Sequence, residues 1–354
     1  MFNFSKPLFF CIVILCVAFV CTLSASLSVP LPIGSDTMWH LNIANIIFRD
    51  GFVAGWDYTL GQNLFPYGLL LFQCCESVFY FVGEPVLFVK VLQVLFLPFT
   101  LGLTMLVVYR YASGKAAVYC GMFLFGSWAF MDGALQVRPE SLDLLFYPLL
   151  LGAVLVGARW RFVGLAVVAV FSHGVAALSM FVGWVVVKFR VKCWRWPLIV
   201  GVLLVLPVLV MSVFYVGGAF VKWGGAPVNE NPQEVLFWSD PSFVPYYMGA
   251  GLLAVPFLFR KNKSLLEWLA VYGLVGNLVM LPLWADRWLH YVSLPLAIVG
   301  GVGLAELPQE ITVFGRCFSK LWIVFILLDI YVVYSLSFFG FSFGWLGHWA
   351  QLGD

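Results

Sequence analysis

Charge is what this sequence has least of. Asp, Glu, Lys and Arg together make up 10% of its 354 residues, where soluble domains carry roughly a quarter. Histidine is rarer still, with four residues. The net charge of +2 removes the broad basic field that nucleic-acid binding needs. None of the eight cysteines falls in a CxxC or a Cys/His cluster, so neither a zinc site nor a disulfide framework is indicated. GxGxxG, P-loop, HExxH and GxSxG patterns are also missing from any context in which they work. The "GGVG" at 300–303 lies inside an apolar run and reads as close helix packing.

What the chain has in quantity is apolar surface: 63% hydrophobic residues, 18% aromatic, and a mean hydropathy of +0.99. A soluble fold of this length has no interior large enough to hide it. The composition therefore indicates a polytopic membrane protein. Lys6, an apolar run and small residues near Ser24–Ser26 have the outline of a signal peptide. The run continues to about Val29, long enough to span, and reads as a retained first helix.

Apolar segments fall at roughly 8–29, 67–82, 87–109, 116–131, 143–158, 162–187, 197–217, 244–259, 264–284, 289–304 and 319–343. If each crosses once, Arg110/Lys115 and Arg159/Arg161 lie outside and Lys188–Arg195 inside, against the positive-inside rule. Suppose instead that 67–82, short and carrying Glu76, lies on the outer surface, and that 162–187 crosses twice with His173 at the turn. Every basic loop then becomes cytoplasmic. The fold expected is an all-α transmembrane bundle of about 11 crossings, a single 1–354 domain with outer loops at 30–86 and 218–243 and no separate soluble domain. The N-terminus is cytoplasmic and the membrane is the plasma membrane. Most acids, with His40, His173 and His290, then share the outer face. Retention of basic residues inside accounts for part of that bias, but several of the acids sit at helix ends and not in long solvated loops.

The stretch "SDTMWHLNIANIIFRD", 35–50, reads as a helix along that face. At 100° per residue Asn42, Asn45 and Arg49 share a polar side. Asp36 and His40, at i and i+4, fall with Ile43 and Ile47 toward the protein body. Helix capping by Ser35 or Asp36 is the plainer reading of the acid, but it leaves His40 unexplained. A second cluster, "QVRPESLD" at 136–143, puts Pro139 at a first helical position and Arg138, Glu140 and Asp143 within about one turn. A solvated helix start is the plainer account of it. A third, "LWADRWLHYVSLPLAIVGG" at 283–301, pairs Asp286 with His290 and Arg287 with Tyr291 at i, i+4. Arg287 offers a planar fork suited to phosphate oxygens; an interfacial aromatic belt of Trp284, Trp288 and Tyr291 is the alternative. His173, in "FSHGVAA", and Glu234, in the loop 224–243, are weaker candidates.

The order of these strings, "GSDTMWHL", "RDGF", "RPESLD" and "DRWLHYVSLPLAIVGG", resembles the GT-C superfamily of membrane glycosyltransferases that use polyprenyl-phosphate-linked donors. That superfamily includes the protein mannosyltransferases, the oligosaccharyltransferases and the aminoarabinose transferase of lipid A. The resemblance implies an active site on the outer face. Asp36 matches the first-loop acid that acts as base toward an acceptor hydroxyl. Glu140 and Asp143 match a second-loop acidic position, and Arg287 matches a late Arg on the lipid-linked phosphate. His40 and His290 fit supporting roles beside them, with Arg138 and His290 grouped on the donor phosphate and His40 with the catalytic acid. The implied partners are a polyprenyl-phosphate sugar donor, a lipid, glycan or protein acceptor, and membrane lipids. No DxD motif stands in the first loop, so the sequence neither calls for a divalent metal nor excludes one. The rival readings are a lipid or solute transporter or flippase, which would show matched repeats with broken helices at mid-membrane, and a non-catalytic GT-C-like shell.

Overall fold

The computed structural model describes residues 6–32, 35–61, 71–135, 137, 139–172, 264–280, 285–307, 310–313 and 316–319, with isolated positions at 196, 199–200 and 203. Eleven helices follow one another through these residues. They are α1 Lys6–Ser28, α2 Ser35–Asp50, α3 Phe52–Gly61, α4 Leu71–Val82, α5 Pro85–Tyr111, α6 Gly114–Phe125, α7 Trp128–Leu135, α8 Pro139–Val156, α9 Arg159–Ser172, α10 Leu265–Met280 and α11 Ala285–Glu306. A short antiparallel hairpin, β1 Glu310–Val313 and β2 Arg316–Ser319, pairs Glu310 with Ser319 and Val313 with Arg316. The other described elements are all helical, as the all-α expectation has it. The β-branched pair Ile311–Thr312 and the run Cys317–Phe318 suit a pleated ladder, and four-residue strands escape a search for long apolar runs.

α1 and α5 are the two described helices long and apolar enough to cross a membrane. Their 23 and 27 residues rise about 35 and 40 Å, against a hydrocarbon core of about 30 Å. Their polarity is inverted relative to a soluble helix. α5 exposes Leu87, Val91, Leu95, Phe99 and Leu106, and buries Gln93, Thr100 and Thr104. α1 exposes Phe9, Phe10, Val20 and Leu27, and buries Ala18, Thr22 and Ser26. Lipid accepts the apolar faces, while small and hydroxyl side chains make the helix–helix contacts. Thr22 Oγ1 lies 3.1 Å from the Val94 carbonyl across the α1–α5 seam. Lys90 of α5 donates to the Val29 carbonyl at 2.6 Å, taking up an orphan acceptor past the end of α1. This chain is a membrane protein.

α5, α6, α8 and α11 enclose the main core, with α7, α9 and α10 packed against it. α11 is buried on every side from Tyr291 to Leu304. Its Gly301 sits where a Cβ would come within 2.6 Å of the Cys120 backbone nitrogen and 2.9 Å of the Ala116 oxygen. The glycine run does serve close packing, of α11 on α6. The expected segment 116–131 is divided between α6 and α7 at Gly126–Ser127. Ser127 restarts the chain, its Oγ accepting from Phe130 N at 3.2 Å in the manner of an N-cap. α10 opens on a capping box, with Ser264 N donating to Glu267 Oε2 at 2.7 Å and Glu267 N donating to Ser264 Oγ at 3.3 Å.

α2, α3 and α4 form a smaller layer. α2 packs on α3 and α4, and α4 packs on α5 and α9. Gly51, at φ 89°, ends α2 with its N–H on the Ile47 carbonyl; only glycine holds that left-handed position without steric cost. α4 has 12 residues, about 18 Å.

Candidate functional site

α2 spans the expected 35–50. Its burial follows the expected face at His40 and Ile43, which are buried, and at Asn42 and Arg49, which are exposed, while Ile47 and Asn45 are both half-buried and Leu41 and Ala44 are buried as well. His40 is 5% exposed, held edge-on between the Trp39 and Phe72 rings at centroid separations of 4.8 and 5.6 Å. Its Nδ1 lies 2.7 Å from Gln73 Nε2 on α4. A second α2–α4 tie runs from Tyr80 Oη to the Leu41 carbonyl at 2.9 Å.

A small apolar cluster then joins three of the sequence strings. Leu41 of α2, Phe72 of α4, Val89 of α5 and Val137 are buried together, with Leu142 of α8 packed against them. The start of α8 is therefore seated on the α2–α4 layer. α8 begins at Pro139, as the ring's fixed φ favours, and Ser141 Oγ donates to the Gly133 carbonyl of α7 at 2.7 Å. Asp143 is 5% exposed, which sets aside a solvated helix start for this acid. Tyr291 Oη of α11 donates to Asp143 Oδ2 at 3.4 Å, a long bond beside the usual range of about 2.5–3.0 Å. Tyr291 is thus buried against an acid and is not part of an exposed aromatic belt.

The strings at 35–50, 136–143 and 283–301 are in this way linked in space, the first two through Leu41, Val137 and Leu142, the second and third through Asp143 and Tyr291. Backbone positions put Asp36 in the first turn of α2, Glu140 in the first turn of α8, Asp286 and Arg287 in the first turn of α11, and His290 in its second. Arg138, His173 and Glu234 lie outside the described residues.

The sequence reading missed the contribution of α4. Glu76 is 2% exposed, and among the described residues neither of its carboxylate oxygens has a hydrogen-bond partner. Burial pushes its carboxyl well above the usual carboxylate range. Gln73, 1% exposed, leaves its Oε1 in the same condition. The signal was present in "LFQCCESVFYFV": Gln73 and Glu76 at i, i+3, with Ser77 beside them, in a mostly apolar helix. Among the described residues no group of three or more His, Cys, Asp or Glu side chains stands ready to hold a metal ion.

No protein-family model and no curated protein matches the chain. Among solved structures its fold is similar to that of ArnT from Cupriavidus metallidurans, crystallised bound to undecaprenyl phosphate. The TM-score is 0.53 and the identity 17%, over 84% of this chain and 60% of that one. The chain thus spans about three-fifths of the length of the structure it matches. At this identity the likeness speaks to fold: the chain has a GT-C-like fold.

Proposed function

We propose that this chain is an integral-membrane glycosyltransferase. It moves a sugar from a polyprenyl-phosphate-linked donor to an acceptor hydroxyl at the outer face, with Asp36 as base. The observation that supports this most is the seating of α8's first turns between α2 and α11, in a fold similar to one crystallised with undecaprenyl phosphate. Three strings that resemble the family's functional loops, far apart in sequence, are linked through Leu41, Val137 and Leu142 and through Asp143 and Tyr291.

The chemistry suits the place. A lipid phosphate donor keeps its tail in the bilayer and its sugar at the interface. Asp36, in the first turn of α2, removes the acceptor's proton as the acceptor oxygen bonds the anomeric carbon and the sugar–phosphate bond breaks. Arg287, in the first turn of α11, offsets the charge left on the departing phosphate, a role the resemblance extends to Arg138 and His290. A direct displacement of this kind needs one carboxylate base and inverts the anomeric centre. Buried Asp143 and neighbouring Glu140 hold the acceptor side, and holding both reactants lowers the barrier by several kcal/mol in effective concentration.

The test is transfer by the purified, reconstituted chain from undecaprenyl-phosphate-linked sugars. Asp36→Asn keeps shape and polarity and removes the base, so transfer falls by about a hundredfold or more. Full transfer by Asp36→Asn sinks the assignment of the base. Movement of the lipid or sugar across the bilayer with no bond transferred favours a flippase.

A further inference from the structure

The mechanism above makes no use of α4, yet α4 holds the most deeply buried acid among the described residues. We propose that Glu76, Gln73 and His40 form a relay in which a protonated Glu76 carboxyl donates to Gln73 Oε1 and the Gln73 amide donates to His40 Nδ1, fixing the imidazole as its Nε2–H tautomer. The proposal rests on the reading of His40 as part of the transfer site, and makes Gln73 and Glu76 positioning residues for it.

Three observations meet here. The 2.7 Å contact between Gln73 Nε2 and His40 Nδ1 fixes one link. An amide nitrogen has only protons to give, so Nδ1 accepts and the proton of a neutral ring sits on Nε2. The second observation is that Gln73 Oε1 and both Glu76 oxygens are buried without partners among the described residues. An unmet buried acceptor is costly, and an unpaired buried charge more so. The third is spacing. Gln73 and Glu76 stand at i and i+3 of one helix, on one buried side, where side chains meet. A single proton on Glu76 resolves the conflict. It removes the buried charge and gives Gln73 Oε1 the donor it lacks. Burial alone drives the carboxyl in that direction.

The surroundings hold groups that could interfere. On α4 these are Cys74, Cys75 and Tyr80; on α2, Asp36, His40, Arg49 and Asp50; ahead of and along α5, Glu84, Lys90, Tyr109, Arg110 and Tyr111; on α9, Arg159 and Arg161. Lys90 is engaged by the Val29 and Pro30 carbonyls. Tyr80 Oη is engaged by the Leu41 carbonyl. Asp50 and Arg49 lie at the exposed far end of α2, more than two turns beyond His40.

The consequence is specific. The amide of Gln73 can turn over, and its orientation decides which imidazole nitrogen bears the proton. With Glu76 donating to Oε1, the amide is locked with its nitrogen toward His40. Without that donor, the turned amide offers Oε1 to Nδ1–H and the tautomer reverses.

The experiment uses the full chain in bilayers at pH 7. Infrared difference spectra compare wild type with Glu76→Gln. Nitrogen-15 histidine spectra, with His40 assigned by its loss in His40→Asn, report the tautomer. The expected wild type shows a protonated-carboxyl band that vanishes in Glu76→Gln, and His40 as Nε2–H in both, because the new amide can also donate. In Glu76→Leu the tautomer moves to Nδ1–H, and kcat falls about tenfold with the donor KM unchanged, while Glu76→Gln keeps its kcat. A Glu76 carboxylate at pH 7, an Nδ1–H wild type, or an unchanged tautomer in Glu76→Leu overturns the relay. If Glu76→Leu does not fold, wild type and Glu76→Gln decide the matter. The spectra need no turnover. A chain with the expected spectra that transfers no sugar keeps the relay and loses the functional reading.

Discussion

At the scale of single residues, the site is built by burial that a lone sequence only half reveals. The 100° periodicity of 35–50 is enough to turn His40 inward, and His40 is buried at 5% exposure. It cannot supply the imidazole's partner, because Gln73 sits on another helix 33 positions away. Asp143 shows the same limit: the hydroxyl that reaches it belongs to Tyr291, 148 positions later. Two predictions belong here. Tyr291→Phe removes the hydroxyl that donates from α11 to Asp143, and lowers thermal stability by about 1 kcal/mol, which a melting curve against wild type measures. Glu76 gives a pH dependence. Burial raises its folded-state carboxyl well above the usual carboxylate range, so the neutral acid favours the folded state. That contribution is fully present below the unfolded value and is lost as pH rises through the folded one. The melting temperature of wild type therefore falls relative to Glu76→Gln as pH is raised from acid to alkaline. Parallel curves would contradict it.

At the scale of elements, pattern and packing agree where a helix carries its own signals and part where the neighbour decides. The end of α2 follows from Gly51, and the start of α8 follows from Pro139. The break at Gly126–Ser127 was hidden inside one apolar run, since hydropathy does not register a change of helix direction. The hairpin 310–319 was hidden for want of length. The α6–α11 contact yields a sharp prediction. A side chain at Gly301 meets backbone atoms of Ala116 and Cys120, which cannot rotate away. Gly301→Val therefore destabilises by about 1–3 kcal/mol or more, read as a lower melting temperature. Gly164, which has nothing within 4 Å of an added Cβ, is the control: Gly164→Ala leaves stability unchanged or slightly raised. A Gly301→Val chain as stable as wild type would show that α6 and α11 do not pack this closely.

At the scale of the whole molecule, composition alone indicated a membrane protein, and the inverted polarity of α1 and α5 gives the physical reason. The resemblance to GT-C enzymes rested on scattered strings, and the fold similarity to ArnT supports the architecture. Membrane sidedness is the part that rests on loop charges. Cysteines introduced at Ala112 and Glu230, with the native cysteines replaced, test it. Impermeant reagent added outside labels position 230 and spares 112. Labelling of 112 from outside reverses the bundle and moves the proposed site to the wrong face.

The central claim is that a lipid-linked phosphate sits between the beginnings of α2 and α11. A structure of the chain determined with undecaprenyl phosphate addresses it most directly. The account predicts phosphate density against the Arg287 guanidinium and within reach of Asp36, on the face that labels from outside. Phosphate held at the other end of the bundle, or a lipid bound only along the outer surfaces of α1 and α5, would contradict it.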